Sequence, residues 1–399
     1  MKKLKFLSLI IFIFLISADK NEKLYKKALK IYNEAIVVDG HCDVPMVLSQ
    51  GIDLSIKRKE GEFDLERMKE GGLDVSLFAI FTPNSEDEKE PFKKAIKILS
   101  SIYDFLEKNN NKIVLVKSSQ DILNLKKSKK KAVMISMENG SPIEEIYLLK
   151  IFYNLGLRVS GLTHMENNKI CDSSTAKEEK WGGLSPYGKE LIKEMNKLGI
   201  VIDISHSSDK TVLDVLELSK APIIASHSCA RGIVPIQRNI SDELIKKIAE
   251  KGGVVMVNFY AGFLDNDWRE KSDKANSEIA PLREEIRKKY ENNKEAYYKE
   301  MFEVWKKYSP PPPKIDKLIE HIEHIIKIAG VDYVGIGSDF EGASVFMDGL
   351  KDVSDLPNLT YELLKRGYSK KDIEKILGLN FIRVLKEVER VSCKNNSIK

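Results

Sequence analysis

The strongest constraint on the fold is a recurring beat. Short apolar runs rich in β-branched residues repeat along the chain, each followed by a stretch with helical periodicity. Eight such runs stand out, at 35–39 (AIVVD), 75–81 (VSLFAIF), 132–137 (AVMISM), 159–163, 200–204, 222–225, 254–259 and 333–337. They are nearly continuous in apolar character, which suits strands buried on both faces of a parallel sheet. Amphipathic helices are expected between them at 91–108, 144–154, 185–198, 208–218, 241–251 and 314–329, with Ser208 and Ser241 placed as N-caps. Eight strands alternating with helices predict a (β/α)8 TIM barrel, with a doubly wound open sheet as the rival. No glycine-rich phosphate turn follows the first strand, which favours the barrel.

Residues from about 264 to 313 interrupt the beat: they are highly charged, helical in pattern, and end in the stiff run Pro310 to Pro313. They read as a helical insertion between the seventh and eighth strands, placed to cap one end of the barrel. Closing helices are expected at 358–366 and 371–388. At the other end of the chain, Met1 to Lys5 is basic and Phe6 to Ile16 is apolar except for Ser8. That run is too short for a comfortable membrane span, which takes about 20 residues. Residues 1–18 therefore read as a secretory signal peptide or N-terminal anchor, and residues 19–399 as one barrel domain. The expected location is exported, periplasmic or extracellular, with any membrane tether confined to the N-terminus.

The net charge of +5 includes three lysines in the first five residues and falls to about +2 without them. Basic and acidic residues are interspersed, which excludes the basic stripe of a nucleic-acid binder. Four cysteines in 399 residues are too sparse for a disulfide scaffold, although an exported chain could pair them. Cys42 and Cys229, each beside a histidine, are expected to be small buried residues.

The histidines carry the functional signal. Four of the six, His41, His164, His206 and His227, sit at or just beyond the C-terminal end of an expected strand, the rim where a barrel gathers its chemistry. His41 and Asp43 are two apart and share a face if strand geometry continues. Glu138 follows an apolar run directly, and a carboxylate at that depth needs strong partners, such as a bridge between two cations. His41, Asp43, Glu138, His206 and His227 together supply nitrogen and carboxylate donors suited to zinc or another borderline divalent ion, enough for two of them. Two such ions about 4 Å apart would hold a bridging hydroxide, a nucleophile at neutral pH. Asp339, after the eighth strand in GIGSDFEG, is the candidate proton shuttle, with Glu341 competing for the role. His321 and His324 lie three apart on a polar helix face and are expected to be ordinary surface residues.

From about residue 36 to 388 the chain resembles the membrane dipeptidase (renal dipeptidase) family of zinc peptidases, within the amidohydrolase-like barrels. The landmarks, in order, include VVDGHCDVP, SMENG, LRVSGLTH, VIDISHSS, IIASHSCARGI, QRNISDE and VGIGSDFEG. The resemblance implies one metal on His41 and Asp43, a second on His206 and His227, and Glu138 between them. It further implies that His164 and Arg238 contact the substrate, with Arg238 on its carboxylate, and that Asp339 meets the attacking water and the substrate. A homodimer and hydrolysis of dipeptides follow from the same resemblance. Cys42 stands where mammalian members carry Asn, and Ser338 replaces a glycine. The alternatives are a related barrel hydrolase acting on a lactam, cyclic amide or phosphoester, and an exported binding protein without catalysis.

Overall fold

A computed structural model describes residues 21–83, 90–291 and 294–396. The apolar run at 6–16 lies outside the described residues. Nine strands run in chain order: β1 (Val38–Cys42), β2 (Val75–Ile80), β3 (Ile113–Leu115), β4 (Lys131–Met137), β5 (Leu157–Gly161), β6 (Val201–Asp203), β7 (Ile224–Ala225), β8 (Val254–Asn258) and β9 (Val334–Gly337). Their order in the sheet is β1-β2-β4-β5-β6-β7-β8-β9, every pairing parallel. Just beyond the strand ends the sheet returns on itself. The Asp43 amide donates to the Phe340 carbonyl at 2.9 Å, and the Asp339 amide to that of His41 at 3.0 Å. The eight-stranded parallel barrel expected from the sequence is the architecture observed.

β3 was not expected. With β2 along one edge of β4, β3 takes Lys131–Val133 on the other edge and leaves Ile135–Met137 to β5. β1 starts three residues later than the apolar pattern suggests. A helix at 21–34 extends its hydrogen bonding to Ala35, whose amide donates to Ile31 and Tyr32, so the strand cannot begin there.

Strand alternation builds two apolar layers. Val75, Leu77, Ala132 and Met134 belong to an inner cluster with Val38, Val201, Ile224 and Val254, whereas Phe78, Ile80, Val133 and Ile135 pack outward. The inner cluster also holds Phe381, Val384, Leu385 and Val388 of the last helix, Asn380–Asn396. Each such side chain contributes about 1.5–3 kcal/mol on burial. The helices follow the expected beat, among them Pro91–Lys108, Asp209–Leu218 and Asp242–Glu250, and the Ser208 and Ser241 hydroxyls cap the last two by accepting from Thr211 and Leu244 amides.

The charged insertion is helical and lies between β8 and β9, the seventh and eighth strands of the barrel. Helices Asn266–Lys289 and Lys294–Tyr308 follow the short helix Ala261–Leu264, and Trp268 packs edge-on against Tyr260 at the root. None of the described helices is long and apolar enough to cross a membrane.

One expectation is corrected. His321 is not a surface residue: it is fully buried, its Nδ1 accepting from the Ala230 amide (3.0 Å) and its Nε2 facing the Leu264 carbonyl (3.1 Å). Its helix, Asp316–Ala329, turns that face inward together with Leu318, Ile322 and Ile325. His324 is half-buried and pairs with Asp242 at 2.9 Å. Cys42, Cys171 and Cys229 are buried free thiols, and Cys393 is exposed.

Candidate metal centre

Seven of the expected site residues reach the same mouth from six strands. His41 lies within β1 and Asp43 one residue beyond it; Glu138, His164, His206, His227 and Asp339 follow β4, β5, β6, β7 and β9. Gly40 faces the barrel interior, where an added Cβ would fall 2.6 Å from the Met256 sulfur. Strict alternation would therefore turn His41 outward. A register shift between Asp39 and Cys42 breaks the alternation, a device common beside active sites. His206 and Asp339 hold left-handed backbone, φ 69° and 63°, at a cost of about 1–3 kcal/mol each that the surrounding contacts must sustain.

Glu138 is the hub. Its Oε1 lies 3.1 Å from His206 Nε2, 3.4 Å from His164 Nε2 and 3.5 Å from His227 Nε2, and its Oε2 lies 3.8 Å from His41 Nε2. His41 Nε2 is 3.4 Å from Asp43 Oδ2, and the His41 and His227 rings stack at 3.8 Å. Three overlapping sets of donors result: His41, Glu138 and His227; Glu138, His164 and His206; and His41, Asp43 and Asp339. Within each, the donor atoms lie within 4.8 Å of one another. The five residues expected as ligands are thus brought together, and His164 and Asp339 join them.

The donor chemistry suits divalent cations. Arg238 Nη2 can only donate, so its 3.0 Å contact makes His206 Nε2 an acceptor, a lone pair placed 3.0 Å from His227 Nε2 and facing Glu138. His41 Nε2 and His206 Nδ1 are buried with no hydrogen-bond partner. Burial, reinforced by Asp43, holds Glu138 well above the ordinary carboxylate range. Burial also pushes Asp339 up to about 6, with Asp43 adding and His41 opposing. His41 behaves oppositely to the other imidazoles: burial works against its charge, but Glu138 and Asp43 outweigh it and raise the group to about 10. His164 falls to about 4, through burial and then Arg238. His206 and His227 fall well below the usual imidazole value, through burial and then, respectively, Arg238 and His41. Acceptors crowded against acceptors are a costly arrangement that positive charge relieves. The arrangement is a binuclear divalent-metal architecture with Glu138 common to both parts.

Arg238 is only 5% exposed, so its guanidinium is oriented by the protein rather than by solvent. Nη1 donates to Ser228 Oγ (2.7 Å), Nη2 donates to the His227 carbonyl (2.8 Å), and Nε is left buried without a partner. It lines a cavity of about 550 Å³ together with Glu138, His164, His206 and Asp339, and with the apolar Met46, Phe81, Met165 and Phe263. Among the described residues the two long insertion helices contribute none of the lining; the nearby chain reaches the cavity only through Tyr260 and Phe263. The expected cap is therefore a border.

Several supporting residues were not singled out from sequence. Asn258 ends β8 and donates to Asp339 Oδ2 at 2.8 Å. Asp39 accepts from the Ser338 amide and hydroxyl, both at 2.7 Å, so the serine that replaces a glycine ties the Asp339 loop to β1. Asp203 ends β6 and accepts from Ser226 Oγ at 2.6 Å. The signal was present in each case, a polar residue at the end of an apolar run. Glu341 is occupied elsewhere: its Oε1 accepts from Arg58 Nη1 (2.6 Å) and from the Glu62 and Phe63 amides. Cys42 and Cys229 direct their thiols to backbone carbonyls, and burial raises both thiols above their usual range.

Residues 25–399 match the family model of the membrane dipeptidases, Peptidase family M19. The chain is 30% identical to an uncharacterised dipeptidase of Schizosaccharomyces pombe, over 94% of this chain and 85% of that relative. It is similar in structure to the probable dipeptidase PvdM from Pseudomonas aeruginosa, with 28% identity and a TM-score of 0.79, covering 93% of this chain and 99% of that one. A metallo peptidase from Rhodobacter sphaeroides shares the fold at 24% identity and a TM-score of 0.73, covering 89% and 100%. With the family match spanning residues 25 to 399, the chain belongs to the membrane dipeptidase family and is a metal-dependent hydrolase acting on peptide bonds.

Proposed function

We propose that the protein is an exported, zinc-loaded dipeptidase that cleaves the single peptide bond of dipeptides with a free C-terminal carboxylate. The observation that carries this reading is Glu138, one carboxylate whose two oxygens face imidazoles on opposite sides of the mouth. On this reading His41 and Asp43 hold one ion, His206 and His227 the other, and Glu138 both. Imidazole and carboxylate donors in that proportion favour zinc. Bound there, the two ions supply Lewis acidity and lower the pKa of water to near neutrality.

The chain's own groups do the rest. Arg238 stays charged, is fixed by Ser228 and His227, and has a buried Nε free to donate to a substrate carboxylate, which selects short peptides over internal bonds. His164, with its pKa held near 4, is neutral at physiological pH and offers an N–H to the developing oxyanion rather than a proton. Asp339, held by Asn258 and close to neutrality in its pKa, accepts the proton of the attacking water and passes it to the leaving amine. The Rhodobacter sphaeroides relative is liganded with a phosphinate mimic of the dipeptide L-Ala-D-Ala. That favours a dipeptide substrate here, including one with a D-residue on the C-terminal side.

The same reading includes removal of residues 1–18 or their retention as an anchor, a single domain over 19–399 with the 264–313 insertion, and a homodimer. The decisive experiment is metal analysis of the purified protein followed by a dipeptide panel. Two ions per chain, hydrolysis of free dipeptides and loss of activity on their C-terminal amides are expected. Equal activity on the amides would transfer the reading to a related amide hydrolase, and tight binding without product to a non-catalytic receptor. N-terminal sequencing of the exported protein and sedimentation analysis test processing and the dimer.

A further inference from the structure

We infer that Asp203 and Ser226 form a hydroxyl-bridged relay that sets the tautomer of His227 and so fixes which of its nitrogens faces the metal centre. The inference rests on His227 being a metal ligand, as proposed above, but its central element, the position of one proton, can be read without any metal.

Ser226 Oγ lies 2.6 Å from Asp203 Oδ2 and 2.7 Å from His227 Nδ1, and it has one hydrogen to give. Asp203 is surrounded by donors. Its Oδ1 accepts from the Ser226 amide at 2.8 Å and the Ser205 amide at 3.0 Å, and its Oδ2 accepts from Ser226 Oγ, so the carboxyl group is an acceptor in every contact. The hydroxyl hydrogen therefore points to Asp203, leaving Ser226 Oγ only lone pairs to offer the imidazole. The 2.7 Å contact with His227 is then a hydrogen bond only if Nδ1 carries the proton. Nε2 is left with a lone pair 3.5 Å from Glu138 Oε1, and its 3.0 Å approach to His206 Nε2, which accepts from Arg238, then holds no hydrogen and is a close contact that a bound cation would relieve.

The fold holds this geometry tightly. Asp203 pairs with Ile224 across the β6–β7 ladder, which brings the carboxylate alongside the residues that follow β7. Asp203, Ser226 and His227 are all buried, so water does not compete for the contacts. Gly337 of β9 lies directly against the Ser226 carbonyl, where an added Cβ would overlap it, so the backbone at the serine is closely packed. His206, across the mouth, has no such relay: its Nδ1 is unpartnered and only Arg238 orients it from the other side. Asp203 and Ser226 touch neither substrate nor metal on this account; they are positioning residues for His227.

The relay predicts an asymmetric response to substitution. Ser226→Ala removes the link and is expected to weaken the ion held by His227 roughly 10- to 100-fold, whereas Ser226→Thr keeps the hydroxyl and should stay within about threefold of the unmodified protein. Asp203→Asn is expected to do more than remove a charge. The new amide can donate to Ser226 Oγ, turning the hydroxyl hydrogen toward His227 Nδ1 and moving the imidazole proton to Nε2, the atom that must be bare to bind. The test is nitrogen-15 NMR of His227 in the metal-free full-length protein, paired with stepwise zinc titration against a competing chelator. The expected result is Nδ1–H in the unmodified protein and in Ser226→Thr, Nε2–H in Asp203→Asn, and a weakened zinc step in Ser226→Ala and Asp203→Asn. Nε2–H in the unmodified protein, or an unchanged tautomer in a folded Asp203→Asn, overturns the relay, and this reading survives even if Ser226→Ala does not fold. If the tautomers behave as expected but His227→Ala leaves both zinc steps intact, the relay stands and the ligand assignment fails instead.

Discussion

The two sides of the mouth use the same side chain in opposite ways. On one side His41 lies among carboxylates, 3.4 Å from Asp43 and 3.8 Å from Glu138, and they hold it protonated, with a pKa near 10, against the opposing effect of burial. On the other, burial drives His206 and His227 well below the normal imidazole value, helped next by the cation Arg238 at His206 and by the protonated His41 at His227. All three rings are buried to a similar depth, with exposures of 2%, 8% and 1%. Depth therefore does not separate them; the sign of their neighbours does. One side has negative charge to spare and keeps a proton until a cation replaces it. The other is neutral and presents lone pairs at once. Glu138 belongs to both.

The sharpest way to break this comparison is to remove the shared member. Glu138→Gln is expected to lose both ions, leaving well under one per chain by elemental analysis, with turnover down by about 10³ or more. Retention of one ion at full occupancy would mean that the two sides are independent. Asp339→Asn lies on the acidic side but is assigned to proton transfer rather than to holding metal. Turnover should fall about 10²- to 10⁴-fold with both ions retained. Loss of metal in that variant would make Asp339 a ligand and enlarge the acidic side.

The pH dependence of metal uptake sharpens the contrast. A proton must leave His41 before it can ligate, and the unprotonated fraction rises about tenfold per pH unit below a pKa near 10. Affinity at the acidic side should therefore climb with pH between 6 and 9. Affinity at the other side should climb less steeply, because its imidazoles are already unprotonated there and only the shared Glu138 has a proton to lose. A two-step zinc titration at several pH values distinguishes the steps, and equal slopes would erase the distinction. The smallest effect concerns His321, a buried imidazole whose nitrogens both face backbone partners, so that it has no lone pair to offer. Burial lowers its pKa to about 4, below the unfolded value near 6.5. Its contribution is complete above pH 6.5 and drains away as pH falls toward 4, because the unfolded chain takes up a proton that the folded chain refuses. The loss is about 2 kcal/mol at pH 5, or a few degrees in Tm. His321→Asn should flatten the acid limb of the stability curve; an unchanged slope would show that this group is not the cause.

Much of the site was legible in the amino-acid order because metal donors are rare residue types in unusual places. Histidines and a glutamate closing apolar runs stand out against the expectation that such positions are filled by Val or Ile. Asp203, Asn258 and Asp39 end apolar runs in the same way, but a lone Asp or Asn there is also an ordinary turn residue, so the sequence does not single them out. β3 escaped notice because three apolar residues carry too little periodicity to separate a strand from a loop. His321 misled for a different reason. It lies between Glu320 and Glu323, with His324 one residue further on, but its hydrogen-bond partners are Ala230 and Leu264, 91 and 57 residues away in sequence.

Element type and order, the inner and outer faces of the strands, the serine caps and the location of the insertion follow from local patterns, since backbone geometry imposes periods of about 2.0 and 3.6 residues on any buried face. The protonation of His41, the partnering of Glu138 by four imidazoles and the tautomer of His227 follow from contacts that no local pattern encodes. Asp39 and Ser338, bonded at 2.7 Å, are 299 residues apart. Electrostatics and hydrogen bonding act over a few ångströms of space, and only closure of the barrel turned residues distant along the chain into neighbours at that range.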